Sequence, residues 1–457
     1  MKDERNIMAD TNAITPAPLS DTLPSSGAAL PGGQVAWVRH ARQEGATLWQ
    51  AQGAPSVKVE QWKYTNLRDM LKVPFRAARP ADEIGLDAIP AGDALTLDAH
   101  VLVFVNGRFS PELSDLDALP KGVAVATLAT MLETEPHAVE PFIGRIADAA
   151  DLPFAALNQA GLEDGFVVRV KTGATLEKPL HIVQVSAAED TPTAHQPRNV
   201  IVLEAGAVAT IAESWIGTDS DTPTLRNAVT EVHVGPDAVL THQILQNLPD
   251  AAYNLAATAV KVEAKGVYDS FVLQVGGKLS RHDLRVELAG RHAECRLNGA
   301  YGATGTQHMD TTSFIDHAVP ECTSNEVYKG VLGGKAKGVF QGKILVRPDA
   351  QRTDGNQLHK ALLLERGAEV DTKPELEIYA DDVTCSHGAT TGELDAVALF
   401  YLRSRGIDPE TARMLLIEGF LDDVVERIPG EANREAFKEV IHRWQRRRIA
   451  EIDPALG

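Results

Sequence analysis

Aromatic side chains make up only 5% of the 457 residues, and cysteine occurs three times, as Cys295, Cys322 and Cys385. So few scattered thiols exclude a disulfide framework and fit a reducing compartment. Positive charge is also in short supply: 44 Lys+Arg against 63 Asp+Glu leave a formal charge of −19. That balance argues against nucleic acid or an anionic membrane surface as a partner. No run approaches the roughly 20 apolar residues of a membrane span, and residues 1–33 lack the apolar core of a signal peptide. With Asp3, Glu4, Asp10 and Asp21 set among Pro, Ser and Thr, residues 1–33 read as a disordered tail. The chain is expected to be cytoplasmic.

What remains is 44% hydrophobic and rich in glycine, enough for a sizeable core in about three domains. From Gln34 to Gln52, Trp37, Val38, Ala41 and Leu48 suit a modest helix. The run Val101 to Val105 reads as a strand, and Asn106-Gly107 after it is a two-residue hairpin signal. Residues 34–150 are therefore expected to form a small mixed α/β domain. Residues 151–394 carry short alternating runs, clearest in Asp283 to Leu288, which sets Leu284, Val286 and Leu288 on one face. A corner signature also repeats: Gly173-Ala174, Gly206-Ala207, Asp237-Ala238, Gly266-Val267, His292-Ala293, Lys335-Ala336, Asp349-Ala350 and Gly367-Ala368. The first five recur every 26 to 33 residues, about one two-strand coil of a solenoid. A β-helix is favoured over an antiparallel sandwich, because stacked coils fill a narrow interior with Val, Ile, Leu and Ala and need few aromatics.

Helical spacing returns in residues 395–457. Val397, Phe400 and Tyr401 lie on one helix stopped by Arg405-Gly406. Asp408 caps a second helix with Pro409 at its first position, expected to bury Ala412, Leu415, Leu416, Gly419 and Phe420. A third sets Phe437, Val440, Ile441 and Trp444 on one face, with Arg446, Arg447 and Arg448 at its end.

The densest candidate chemistry is the segment around Cys385-Ser386-His387-Gly388-Ala389-Thr390. On one strand, Cys385 and His387 point to the same face, where thiolate and imidazole could share a soft metal. Two ligands are not a site, and a buried Cys beside a hydrogen-bonded His is the bland alternative. His233, His242, His282, His292, His308, His317 and His359 have no metal-motif spacing, though stacking of coils could bring some together. Gly330 to Ala336 and Gly338 to Ile344 are each a residue short of a phosphate loop and lack its Ser or Thr; their glycines read as corners between strands. Asp381-Asp382 could serve as an acid/base or cation pair, but a structural role is the plainer reading.

Taken together, Glu60-x-Trp62-Lys63-Tyr64-Thr65, Leu157-Asn158-x-Ala160 with Asp164-Gly165, Phe340-Gln341-Gly342-Lys343-Ile344, Pro374-x-Leu376-x-Ile378 and Asp382-Val383-x-Cys385-Ser386-His387-Gly388-Ala389-Thr390 resemble the SufB/SufD family of the SUF iron–sulfur cluster assembly system. Leu399-Phe400-Tyr401-Leu402-x-Ser404-Arg405-Gly406 extends the likeness, which runs from about Gln34 to Phe420. The lack of any cysteine before Cys295 and the Trp62 to Thr65 signature place it on the SufD side rather than the SufB side. The resemblance implies a mainly β fold: a right-handed parallel β-helix between an N-terminal α/β domain and a C-terminal α-helical domain. It implies a non-catalytic scaffold that joins a SufB-like subunit and a SufC-like ABC-type ATPase, with a homodimer as a possible state of the isolated chain. Iron or a nascent cluster would be shared with the partner at His387, with Cys385 beside it, and FAD or FADH2 is a possible cofactor of the complex. Phe400, Tyr401, Leu415, Leu416 and Phe420 are the expected docking residues for the ATPase. A β-helix lyase using Asp381, Asp382 and Lys343 or Arg347, and a purely structural dimerisation module, are the competing hypotheses.

Overall fold

The structure, a computed structural model, describes residues 19–23, 30–79, 91–116 and 119–448. From Phe166 to Gly392 the chain winds as a parallel β-helix whose strands alternate between two sheets. One sheet runs from Phe166–Val170 through Thr224–Val234 and Leu279–Leu288 to Glu369–Ile378; the other runs from Thr175–Ser186 through Val239–Asn247 and Glu294–Ala303 to Val383–Gly392. Each of these strands pairs in parallel with the strand one coil away, as in Leu284↔Ser313 and His242↔Ser270.

Alternation dictates the interior. Val232, Val260, Leu284 and Val286 of the first sheet face Leu240, Tyr268 and Leu297 of the second, and all are at most 1% exposed. Burying such aliphatic side chains contributes about 1.5–3 kcal/mol each.

At the corners leading from the first sheet to the second, Gly173, Gly206, Asp237, Lys265, His292, Glu321 and Arg352 all hold φ between 55° and 67°. A left-handed residue turns the chain there, and the residue after it, Ala207, Ala238, Ala293 or Cys322, is fully buried in the corner. This explains the repeated signature. Asp349-Ala350 belongs to the same edge, whereas Lys335-Ala336 and Gly367-Ala368 mark the opposite one. Cys322 keeps the period going where the Ala or Val of the signature is missing. The expectation that the glycines of 330–344 are corners holds for Gly333 and Gly334 but fails for Gly330, Gly338 and Gly342, which lie inside strands. A Cβ on Gly330 would come within 2.0 Å of the Tyr301 ring, and one on Gly342 within 1.8 Å of Gln357 Nε2. These glycines make room for large inward side chains.

The N-terminal segment closes one end of the solenoid. The helix Ala36–Gln52 packs on Pro153–Ala160, with Trp49 and Phe154 centroids 5.5 Å apart. His100–Val105 and Arg108–Phe109 form the expected hairpin, with Asn106 and Gly107 both at positive φ. His100–Val105 then pairs in parallel with Thr175–Ser186, and Val123–Thr127 pairs antiparallel with Phe166–Val170. Covering sheet edges in this way prevents unwanted pairing. Of the expected tail, residues 1–18 and 24–29 lie outside the described residues. Residues 19–23 correct the expectation of disorder, because Leu19 is fully buried beside the cluster of Trp49 and Trp62.

Three helices follow the solenoid: Ala396–Ser404, Pro409–Val425 and Glu431–Arg448. Asp395 and Asp408 cap the first two by accepting backbone N–H bonds, which is the stabilising arrangement at a helix start. The third buries Phe437, Val440, Ile441 and Trp444 as expected, with Phe437 edge-on to Phe271 at 5.0 Å. The second departs from expectation. It buries Ala412, Ile417, Leu421, Val424 and Val425, while Leu415 and Gly419 are exposed. The helix is apolar on most sides, so its rotation is set by docking on Val327 and Val331 of the solenoid and on the third helix. No helix among the described residues is long and apolar enough to cross a membrane.

Candidate functional site at the open end of the solenoid

The N-terminal end of the solenoid is covered, but the other end is not. Among the described residues, Glu369–Ile378 pairs only with Lys337–Val346, and Val383–Gly392 only with Thr353–Leu363. Each of these last strands therefore presents one free row of backbone donors and acceptors.

Cys385 and His387 lie on Val383–Gly392, in register with Gly355 and Gln357. Their period-two spacing puts both on the same, inward face, as the sequence predicts. Cys385 is half-buried and packs on the solenoid core, and burial pushes its thiol pKa up, opposed by the Gly355 backbone N–H. His387 is exposed. Among the described residues, no three His, Cys, Asp or Glu side chains stand close enough to hold a metal ion. Cys385 and His387 share a face, but two side chains do not by themselves make a metal site.

Beneath them runs a column of inward positions, one per coil: His387, Gln357, Glu326, Leu297, Ser270 and His242. Glu326 is completely buried. Gln357 Nε2 donates to its Oε2 at 2.7 Å, while Glu326 Oε1 and Gln357 Oε1 have no hydrogen-bond partner. Burial raises the Glu326 pKa to about 7, with Ser313 and Gln357 partly offsetting it. Sequence reasoning missed this group. Its signal was a charged residue on the inward parity of the alternation, between Ser324 and Tyr328.

The other histidines do not gather into a ligand set. His242 bonds Glu213 Oε1 at 2.9 Å and the Tyr268 hydroxyl at 3.0 Å. His282 bonds Thr258, His308 bonds Thr65, His317 bonds Ser324, and His359 bonds Tyr301 and Thr372. His233 packs beside Phe142, and His292 sits at a corner 3.2 Å from Glu321. Asp381 and Asp382 lie in the bend before the last strand rather than on it. Lys343 is paired with Glu377 at 2.7 Å and Arg347 with Asp316 at 2.6 Å.

The expected docking residues divide into two groups. Phe400 is 73%, Tyr401 55% and Leu415 44% exposed, and Val397 joins them at 77%. Leu416 and Phe420 are half-buried, and Phe420 is committed to the body of the protein. Its carbonyl accepts from Lys329 Nζ at 2.7 Å, and its ring lies 4.8 Å from the same ammonium.

The chain matches known proteins over most of its length. Residues 184–420 match the family model described as "SUF system FeS cluster assembly, SufBD core domain", and residues 25–182 match "SufBD protein N-terminal region". An iron–sulfur cluster assembly SufBD family protein of Synechocystis is 34% identical over 85% of this chain and 87% of its own length. The iron–sulfur cluster assembly protein SufD of Escherichia coli is 33% identical over 84% and 87%, and SufD of Bacillus subtilis 25% identical over 90% and 94%.

Proposed function

The chain belongs to the SufBD family of iron–sulfur cluster assembly proteins, and from that premise we propose that it is a non-catalytic, SufD-like scaffold subunit whose His387, with Cys385 beside it, helps to acquire iron and build a cluster shared with a SufB-like partner. One observation carries the reading: two soft donors share the inward face of a terminal strand whose outer edge is unpaired. A partner strand laid against that edge would cover it and bring further ligands to the pair.

The helix Ala396–Ser404, which buries none of its own side chains, is the proposed seat of a SufC-like ATPase through Phe400 and Tyr401, with Leu415 alongside. Leu416 and Phe420 would support that surface from behind. In this reading residues 34–150 cap the solenoid, residues 151–394 carry the shared cluster site, and residues 395–457 relay movements of the ATPase. The protein would work in the cytoplasm, and a flavin on the assembled complex is a further part of the proposal.

The test is anaerobic co-purification with the SufB-like and SufC-like proteins, followed by iron, sulfide and visible-absorbance measurements. His387→Ala is expected to leave assembly intact and abolish cluster loading. Normal iron and sulfide in that variant would remove His387 from the mechanism.

A further inference from the structure

Glu326 is a carboxylate sealed inside the solenoid, with no counter-charge paired to it among the described residues. Burial is the main influence on its ionisation, and the groups that ease it, Ser313 and Gln357, are neutral. A carboxylate isolated in an apolar interior is costly unless a proton, a hydrogen-bond donor or a cation compensates it. Yet Glu326 Oε1 takes no hydrogen bond, and neither does Gln357 Oε1, although the residues are 0% and 3% exposed. Ser313 Oγ lies close enough to steady the carboxylate but outside hydrogen-bonding geometry, and the Tyr328 hydroxyl, at the next inward position after Glu326, is also unpartnered. Gly342 makes room for the Gln357 amide, since any Cβ there would collide with it.

We infer that Glu326 and the Gln357 side-chain carbonyl form an inner binding site for a divalent cation, with the Ser313 and Tyr328 hydroxyls as neutral oxygens around it. An all-oxygen set with a single carboxylate favours a hard or borderline ion of the Mg²⁺, Mn²⁺ or Fe²⁺ kind over a thiophilic one. Register places the site directly behind His387: Gln357 is one strand in and Glu326 two, at about 4.8 Å per step. An ion first met by the exposed imidazole would thus find its next oxygen ligands further inside the same column. The inference rests on the proposed function only for naming ferrous iron as the physiological ion.

The test uses the full chain without partners and Mn²⁺ as the probe, with bound and free metal separated by electron paramagnetic resonance. The wild type is expected to bind Mn²⁺ saturably and to melt at higher temperature with it. Glu326→Gln, nearly isosteric, should weaken binding by at least roughly tenfold and abolish the thermal shift. Gln357→Glu should tighten binding and, if destabilised when metal-free, be rescued by Mn²⁺. Absence of saturable binding, or equal binding by Glu326→Gln, would overturn the inference and leave an ordered water as the occupant. Cluster loading that needs His387 while Mn²⁺ ignores Glu326 would spare the proposed function and sink this site alone. Mn²⁺ binding that needs Glu326, with normal cluster loading by His387→Ala, would do the reverse.

Discussion

His242 and His387 occupy the same inward column of the same sheet, five coils apart, and share almost nothing else. His242 is sealed, with one ring nitrogen on Glu213 and the other on Tyr268. His387 is exposed on a strand with one free edge. Position in the stack, rather than residue type or spacing, separates a histidine that holds the fold together from one available to a ligand.

Acid should distinguish the sealed histidines first and most strongly. Burial lowers the pKa values of His181, His282, His308 and His317 to about 4 and those of His195 and His359 to about 3. The fold holds them neutral while the unfolded chain protonates near pH 6.5, so their stabilisation is complete above that pH and is lost as pH falls towards 4. Each is worth roughly 3–5 kcal/mol over that interval. Glu326 and Asp164, raised to about 7 and about 6, act in the opposite sense, favouring the fold at low pH and losing that contribution as pH rises through those values. The six histidines should prevail, giving a steep acid limb in urea unfolding measured at successive pH values, and His359→Gln should flatten it. A pH-independent midpoint would erase the proposed contrast.

His242→Ala is expected to cost about 3 kcal/mol or more, because it leaves the Glu213 carboxylate buried and short of a partner. His387→Ala should fall within about 0.5 kcal/mol of the wild type. Similar urea midpoints for the two variants would break the comparison. The smallest effect is expected on the first C-terminal helix: Phe400→Ser should change stability by less than about 0.5 kcal/mol yet lose capture of the SufC-like ATPase in pull-downs. Retained capture would move the docking surface elsewhere.

The β-helix was legible because its two determinants are local: the aliphatic parity of strands such as 283–288, and a corner residue followed by a small one. The common face of Cys385 and His387 followed from the same parity. Other features needed the third dimension. The second C-terminal helix offers Leu415, Leu416, Ile417, Phe420 and Leu421 around much of its circumference, so only docking on Val327 and Val331 selects Ile417 and Leu421. Glu326 resembles a surface charge until the inward parity of its strand is known. Gly342 could not be read as a vacancy before Gln357 was seen to fill it.

The stacking order also fixes an order of events. Each coil pairs mainly with the coil about 30 residues before it, so folding can advance during synthesis as each coil leaves the ribosome and settles on the last. The strand bearing Cys385 and His387 is the final one added. The proposed ligands can reach their working geometry only on a completed stack, which makes the proposed site report that the preceding coils have folded.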